Sequence, residues 1–148
     1  MLISTKGRYA VRFLLDLAVN DDGQPVRVKD VAARQDISEK YLEQVVAALN
    51  KGGLVRSVRG AHGGYRLTHE LSFYTMGMIL RLTEGSLAPV TCLEKDENSC
   101  SRSEECVTLL FWQKLYDAIS SAADSISLAD LVEWQKELTG NQKKGNCL

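Results

Sequence analysis

The sequence predicts a mainly α-helical chain carrying one small β-hairpin. Three observations lead there. Apolar residues recur at helical spacing in six separate stretches, each opened or closed by a capping residue or glycine. Only Leu54 to Thr68 switches to two short strand-like runs, either side of a glycine-rich turn. Between the fourth and fifth helical stretches lies a polar segment holding three of the four cysteines.

In order, Ser4 or Thr5 caps a first helix to about Val19, with Tyr9, Ala10, Phe13, Leu14, Leu17 and Ala18 on one face. Lys6, Arg8 and Arg12 lie at its start and on the opposite face. Cations are mildly disfavoured at a helix N-terminus, so phosphate contact is one reason for their presence and a solvated face is the other. Asn20–Pro25 is a turn. Val28–Gln35 is a short amphipathic helix, and Ser38 caps a second from Glu39 to about Lys51, ended by Gly52-Gly53. Two short helices joined by a tight turn read as helix-turn-helix. The hairpin that follows is flanked by arginines, and the combination is a winged helix-turn-helix. The glycine turn Gly60–Gly64 lacks the Lys-Ser/Thr of a phosphate-binding nucleotide loop and opens no helix.

Leu71 to Leu82 predicts a further helix, stopped at Glu84-Gly85. After the cysteines, Val107 to Ile119 predicts a long helix with an apolar face wider than one small domain covers. Dimerisation through Leu109, Leu110, Trp112, Leu115 and Ile119 accounts for it, with intramolecular packing as the alternative. Ser127 and Asp130 cap a last helix through Leu138. The organisation expected is a winged domain over 1–85, a cysteine-rich loop over 86–106, the dimerisation and C-terminal helices over 107–139, and a disordered tail over 140–148.

Of 148 residues, 45% are apolar and 25% charged, the balance of an ordinary globular domain. No run reaches a membrane span, and the opening residues lack the apolar core and cleavage site of a signal peptide, which places the chain in the cytosol. Net charge is −1, yet residues 1–70 carry +3 and residues 71–148 carry −4. A mildly basic front half precedes an acidic back half, a modest asymmetry that makes a nucleic-acid footprint only where the charges cluster in three dimensions. No hydrolase triad or paired-carboxylate site is present, and nothing points to an enzyme.

Cys92, Cys100 and Cys106 are spaced C-x7-C-x5-C among acidic, polar and small residues. Such a loop gives thiols little to pack into. Thiolates suit iron–sulfur clusters or zinc, and cytosolic cysteine clusters more often serve metal or redox chemistry than disulfides. The alternative is three small, half-buried residues at a loop–helix junction.

The stretches Ile3-Ser-Thr-Lys-Gly-Arg-Tyr-Ala, Ile37-Ser-Glu-Lys-Tyr-Leu-Glu-Gln44 and Val58-Arg-Gly-Ala-His-Gly-Gly-Tyr65 resemble the Rrf-type (IscR/NsrR/CymR) regulators, and the resemblance runs from residue 2 to about 138. It implies a dimeric winged-helix repressor whose long C-terminal helix crosses its partner. It also implies that the three cysteines hold an iron–sulfur cluster in the sensing branches, [2Fe–2S] ahead of [4Fe–4S], whereas the cysteine-metabolism branch lacks them. By position, Ser38, Lys40, Tyr41, Glu43 and Gln44 match the family's recognition helix and Arg59 its minor-groove wing residue. The physics agrees, since such helices read major-groove edges and arginine suits a narrow minor groove. The DNA-facing set expected is Lys6, Arg8, Lys29, Ser38, Glu39, Lys40, Tyr41, Glu43, Gln44, Arg59, His62 and Tyr65, meeting a double-stranded operator.

The chain also departs from the pattern of the family it resembles. The first cysteine gap is longer than in the iron–sulfur-biogenesis regulators, and Leu109 replaces their histidine ligand three residues after the last cysteine. Arg8 stands where the nitric-oxide sensors have an acidic ligand. The fourth ligand is then a loop carboxylate (Asp96, Glu97, Glu104 or Glu105), Cys147, a partner-subunit residue, or an open position, with an oxygen ligand or open site preferred to Cys147. Structural zinc is one alternative. A cluster-free regulator controlled by thiol oxidation or a protein partner is the other.

Overall fold

Helical phase on the first element sets the core. In the computed structural model, which describes residues 1–98 and 100–145 with side chains through residue 140, α1 spans Thr5–Val19. Ser4 Oγ accepts from Gly7 N–H at 3.3 Å and donates to Glu84 Oε1 at 2.7 Å, so the cap also pins α1 to a later helix. Ala10, Phe13, Leu14 and Leu17 point inward and are fully or almost fully buried. Phe13 alone contributes about 2–3 kcal/mol by leaving water.

Against α1 lie α2 (Val28–Gln35) and α3 (Glu39–Lys51). The turn between them needs a left-handed residue, and Asp36 supplies it at φ 52°. Ser38 Oγ then accepts from Tyr41 N–H at 3.4 Å, and Leu42, Val45, Val46 and Leu49 form the buried stripe of α3. The hairpin pairs β1 (Val55–Val58) with β2 (Gly64–Leu67) antiparallel, Val55 opposite Leu67 and Val58 opposite Gly64. Gly60, at φ 119°, turns the tip. Val26 and Tyr65 exchange backbone hydrogen bonds at 3.0 and 2.8 Å, so the loop before α2 backs the wing. A Cβ at Gly64 would sit 2.5 Å from the Val26 carbonyl oxygen, which leaves room only for glycine.

The continuous helix expected from Leu71 to Leu82 is instead two pieces. Leu71–Phe73 makes one 3-10 turn, Tyr74 and Thr75 are extended, and α4 runs from Met76 to Glu84. Tyr74 is drawn fully into the core, and Thr75 caps the new helix by accepting from Met78 N–H at 3.1 Å. Gly85 ends α4 as expected, at φ 84°.

The cysteine segment is irregular apart from single 3-10 turns at Thr91–Leu93 and Ser103–Glu105. α5 (Val107–Ser125) packs on α4, where Arg81 and Asp124 form a two-pronged ion pair at 2.7 and 2.9 Å. A reciprocal cap, Ser127 N–H and Oγ to Asp130 Oδ2 at 2.7 and 2.8 Å, starts α6 (Leu128–Gly145). α6 returns to α1 and places Leu128 in the central core. It runs past the expected end at Leu138, so residues 140–145 are helical where a disordered tail was expected. Cys147 lies outside the described residues.

Candidate DNA-binding surface and cysteine loop

With one face of α3 buried, the opposite face offers Ser38, Glu39, Lys40, Glu43 and Gln44 to solvent. Tyr41 is half-buried, edge-on to Tyr9 with ring centroids 5.7 Å apart. Arg59 and His62 are exposed at the wing tip. Tyr65, on the same hairpin, turns its ring toward Phe13 at 6.4 Å and is partly packed against the core, a placement its sequence position did not reveal. Arg8 and Lys29 are exposed, and Lys6 is half-buried. Arg8 Nη2 donates to Thr5 Oγ1 at 3.2 Å.

One buried carboxylate orients this surface and was missed from sequence. Asp16, 4% exposed, accepts from Arg34 Nη2 at 2.5 Å and Nε at 3.2 Å, and from Gln35 Nε2 at 2.9 Å. The bond to Asp16 holds the Arg34 guanidinium above its ordinary value. Arg12, stacked over Tyr9 at 5.5 Å, also bonds to Gln35. The end of α2, just before the helix-turn-helix turn, is thereby fastened to α1. The signal available in the sequence was a carboxylate lying among Phe13, Leu14 and Leu17.

The three cysteines are placed differently. Cys92 is half-buried in its 3-10 turn and Cys100 is exposed, its N–H donating to Asn98 Oδ1 at 3.0 Å. Both line one shallow depression with Glu94, Lys95, Glu97 and Asn98. Cys106, half-buried, is the N-cap residue of α5, its Sγ 3.2 Å from Thr108 Oγ1. The Thr108 hydroxyl, helped by the Leu109 N–H and the charge of Arg102, pulls its thiol below the ordinary value. Among the described residues no three His, Cys, Asp or Glu side chains converge as a ready metal cage. The donor set still fits a thiophilic centre: three free thiols lie on one loop, none fully buried, and one is set at a helix N-terminus that favours thiolate. Leu109 is half-buried on α5 and Arg8 exposed on α1, and neither side chain can ligate.

Along α5 no residue is buried. Val107, Leu110 and Phe111 are 79%, 67% and 57% exposed, and Leu109, Trp112, Leu115 and Ile119 are half-buried. That face is far too apolar for solvent.

The Rrf2 family model, described as an iron-dependent transcriptional regulator, matches residues 3–134. This chain belongs to the Rrf2 family. The rrf2 protein of Nitratidesulfovibrio vulgaris is 39% identical over 132 residues, 89% of this chain and 87% of that protein. The regulator IscR of Yersinia enterocolitica is 38% identical over 146 residues, 99% of this chain and 88% of that one. Among solved structures, CymR, the global cysteine regulator of B. subtilis, superposes with a TM-score of 0.74 at 39% identity, covering 90% of this chain and 98% of CymR. IscR of T. potens gives 0.75 at 41%, covering 93% and 90%. This Rrf2 chain therefore has a winged-helix fold and is a DNA-binding transcriptional regulator rather than an enzyme. No helix among its described residues is long and apolar enough to cross a membrane.

Proposed function

We propose that this Rrf2 protein is a homodimeric repressor whose operator binding answers to an iron–sulfur cluster, [2Fe–2S] ahead of [4Fe–4S], held by Cys92, Cys100 and Cys106. The observation that carries the reading is Cys106 at the N-cap of α5, next to an apolar face left open on that helix. What binds the thiols thus acts directly on the element that carries the dimer contact. The cluster supplies a redox- and nitric-oxide-reactive centre; the chain supplies three thiolates and the lever. The fourth position falls to an exposed loop carboxylate or stays open, since Leu109 and Arg8 are unsuited. On the operator, the exposed face of α3 meets base edges, Glu43 accepting from a cytosine amine, while Arg59 enters the minor groove. Lys6, Arg8, Lys29 and His62 sit along the phosphates, with Tyr41 and Tyr65 contributing their polar edges.

Anaerobic reconstitution with iron and sulfide tests the cluster. The wild type and Cys147→Ser should turn brown, whereas Cys92→Ala, Cys100→Ala and Cys106→Ala should stay colourless. A colourless wild type ends this reading. The second reading, a cluster-free regulator working through thiol oxidation or a partner protein, is favoured by the lowered thiol of Cys106 and the lack of a ready three-donor cage among the described residues. A colourless wild type that retains zinc instead indicates a structural metal.

A further inference from the structure

The wing is a two-stranded hairpin, and such a ribbon is barely stable by itself. What fixes its base is one buried side chain. The Tyr74 hydroxyl, in a residue with no exposed surface, donates to the Leu54 carbonyl at 2.9 Å. It also accepts from the backbone N–H groups of Thr68 and His69 at 2.8 and 3.0 Å. Leu54 immediately precedes β1, and Thr68 immediately follows β2. One phenol oxygen therefore gathers both ends of the hairpin. Thr68 Oγ1 adds a bond to the Gly53 carbonyl at 2.7 Å across the same base.

The main chain of the same residue faces elsewhere. Tyr74 C=O accepts from Leu128 N–H at 2.8 Å, and Met76 N–H donates to the Ile126 carbonyl at 2.9 Å, so Thr75 and Ser127 form a bridge of β type. Residues 126–128 are the joint between α5 and α6. α5 reaches from Cys106 to this joint, about 28 Å at the usual rise per residue. Beside it, Arg81 and Asp124 clamp the same end of α5 to α4. The sensing loop and the wing are thus the two ends of one hydrogen-bonded track, and Tyr74 is where it changes from backbone to side chain.

We propose that Tyr74 is a positioning residue for DNA binding: its hydroxyl holds the wing in the pose that delivers Arg59, and its carbonyl ties that pose to the α5–α6 joint. The inference rests on the reading of Arg59 as a DNA contact.

The test uses full-length protein and a duplex that the wild type selects from a random double-stranded library. Tyr74→Phe, which removes only the hydroxyl, should weaken binding by about five- to thirtyfold, one to two net hydrogen bonds' worth. Thr68→Val, at an exposed position where folding is not at stake, should weaken it in the same sense by a smaller factor. The decisive readout is coupling. Added to Arg59→Ala, Tyr74→Phe should cost little more, because the wing then has nothing to deliver. Added to Gln44→Ala on α3, its factor should multiply. A purely structural loss would multiply with both, and that result overturns the proposal. So does wild-type affinity in both Tyr74→Phe and Thr68→Val while Arg59→Ala binds poorly. If Arg59→Ala itself binds normally, the wing reading fails and takes this one with it.

Discussion

Asp16 is the side chain through which the end of α2 is held to α1. Asp16→Ala leaves Arg34 and Gln35 without their acceptor and breaks the fastening of α2 to α1. Arg34, with 40% of its side chain exposed, can rehydrate, so its share is that of a surface pair, up to about 1 kcal/mol. Gln35 is half-buried and loses a bond to a charged acceptor, about 1–2 kcal/mol. Asn20 loses little, since its Nδ2 keeps the Asp16 main-chain carbonyl at 2.9 Å while its contact with Oδ1 is long, at 3.3 Å. The expected cost is about 2–3 kcal/mol, a fall in Tm of about 5–10 °C for a chain of this size. Asp16→Asn keeps the volume and one acceptor oxygen and should cost about half as much. Thermal and urea unfolding followed by circular dichroism, at fixed protomer concentration because a dimer adds stability by mass action, measures both. Operator affinity of the folded variant should fall as well, because Asp36 and α3 follow directly from the loosened end of α2. An Asp16→Ala protein within about 0.5 kcal/mol of wild type would falsify the reasoning, since the Arg34 pair and the Gln35 bond to the buried carboxylate together account for about 2–3 kcal/mol.

Leu110→Glu should leave the protomer folded, since Leu110 is 67% exposed, and convert a dimer to a monomer in sedimentation; a wild type already monomeric at micromolar concentration contradicts the interface. Asp124 and Asp130 are held below the ordinary carboxylate range, by the Arg81 guanidinium and by the Ser127 N–H and hydroxyl respectively. Their folded values are depressed, so their contribution is complete above the unfolded value near ~3.9 and is lost as pH falls through the folded one. The stability gap between wild type and Asp124→Asn should therefore close in acid; a gap that is constant from neutral pH to pH 3 refutes it. In cluster-free protein Cys106 should be alkylated by iodoacetamide at lower pH than a free thiol, and a half-maximal rate at the ordinary thiol value speaks against the Thr108 and Leu109 contacts.

The elements proposed to face DNA were legible because their determinants are local. Ser4 and Ser38 cap, Gly85 stops, and the buried stripes of α1 and α3 repeat with helical period, so sequence spacing alone specifies what is inside and what is out. The wing followed from a glycine turn between two short runs. Where the reading failed, the deciding partner was far away in the chain. Leu71–Leu82 has helical period, and the capping residue Thr75 is the only nearby sign of a break; the break exists because the Tyr74 hydroxyl bonds to Leu54 and the backbone pairs with Ser127. The tail misled for the opposite reason: Gly140 and its polar neighbours read as a stop, yet a helix already started by Ser127 and Asp130 carries on.

The candidate site divides along the same line. Cysteine spacing announces thiolate chemistry, but not that Cys92 and Cys100 share a depression while Cys106 caps a helix, because that depends on how the loop is anchored at each end. Tyr41 and Tyr65 show a related ambiguity: an aromatic residue beside a DNA-reading element serves equally as a contact or as a prop, and the rings of Tyr9 and Phe13 draw both partly inward. What sequence hides, then, is the linkage and not the contacts. Asp16 and Tyr74 touch no DNA on any reading, yet Asp16 fastens α2 to α1 and Tyr74 ties the wing to the joint that ends α5, the helix that Cys106 opens. A regulator needs such fixtures: ligation at the loop can alter affinity only if the two reading elements have preferred poses to be shifted from. Their burial among apolar residues follows from that need, since a hydrogen bond shielded from water defines an angle that an exposed one does not.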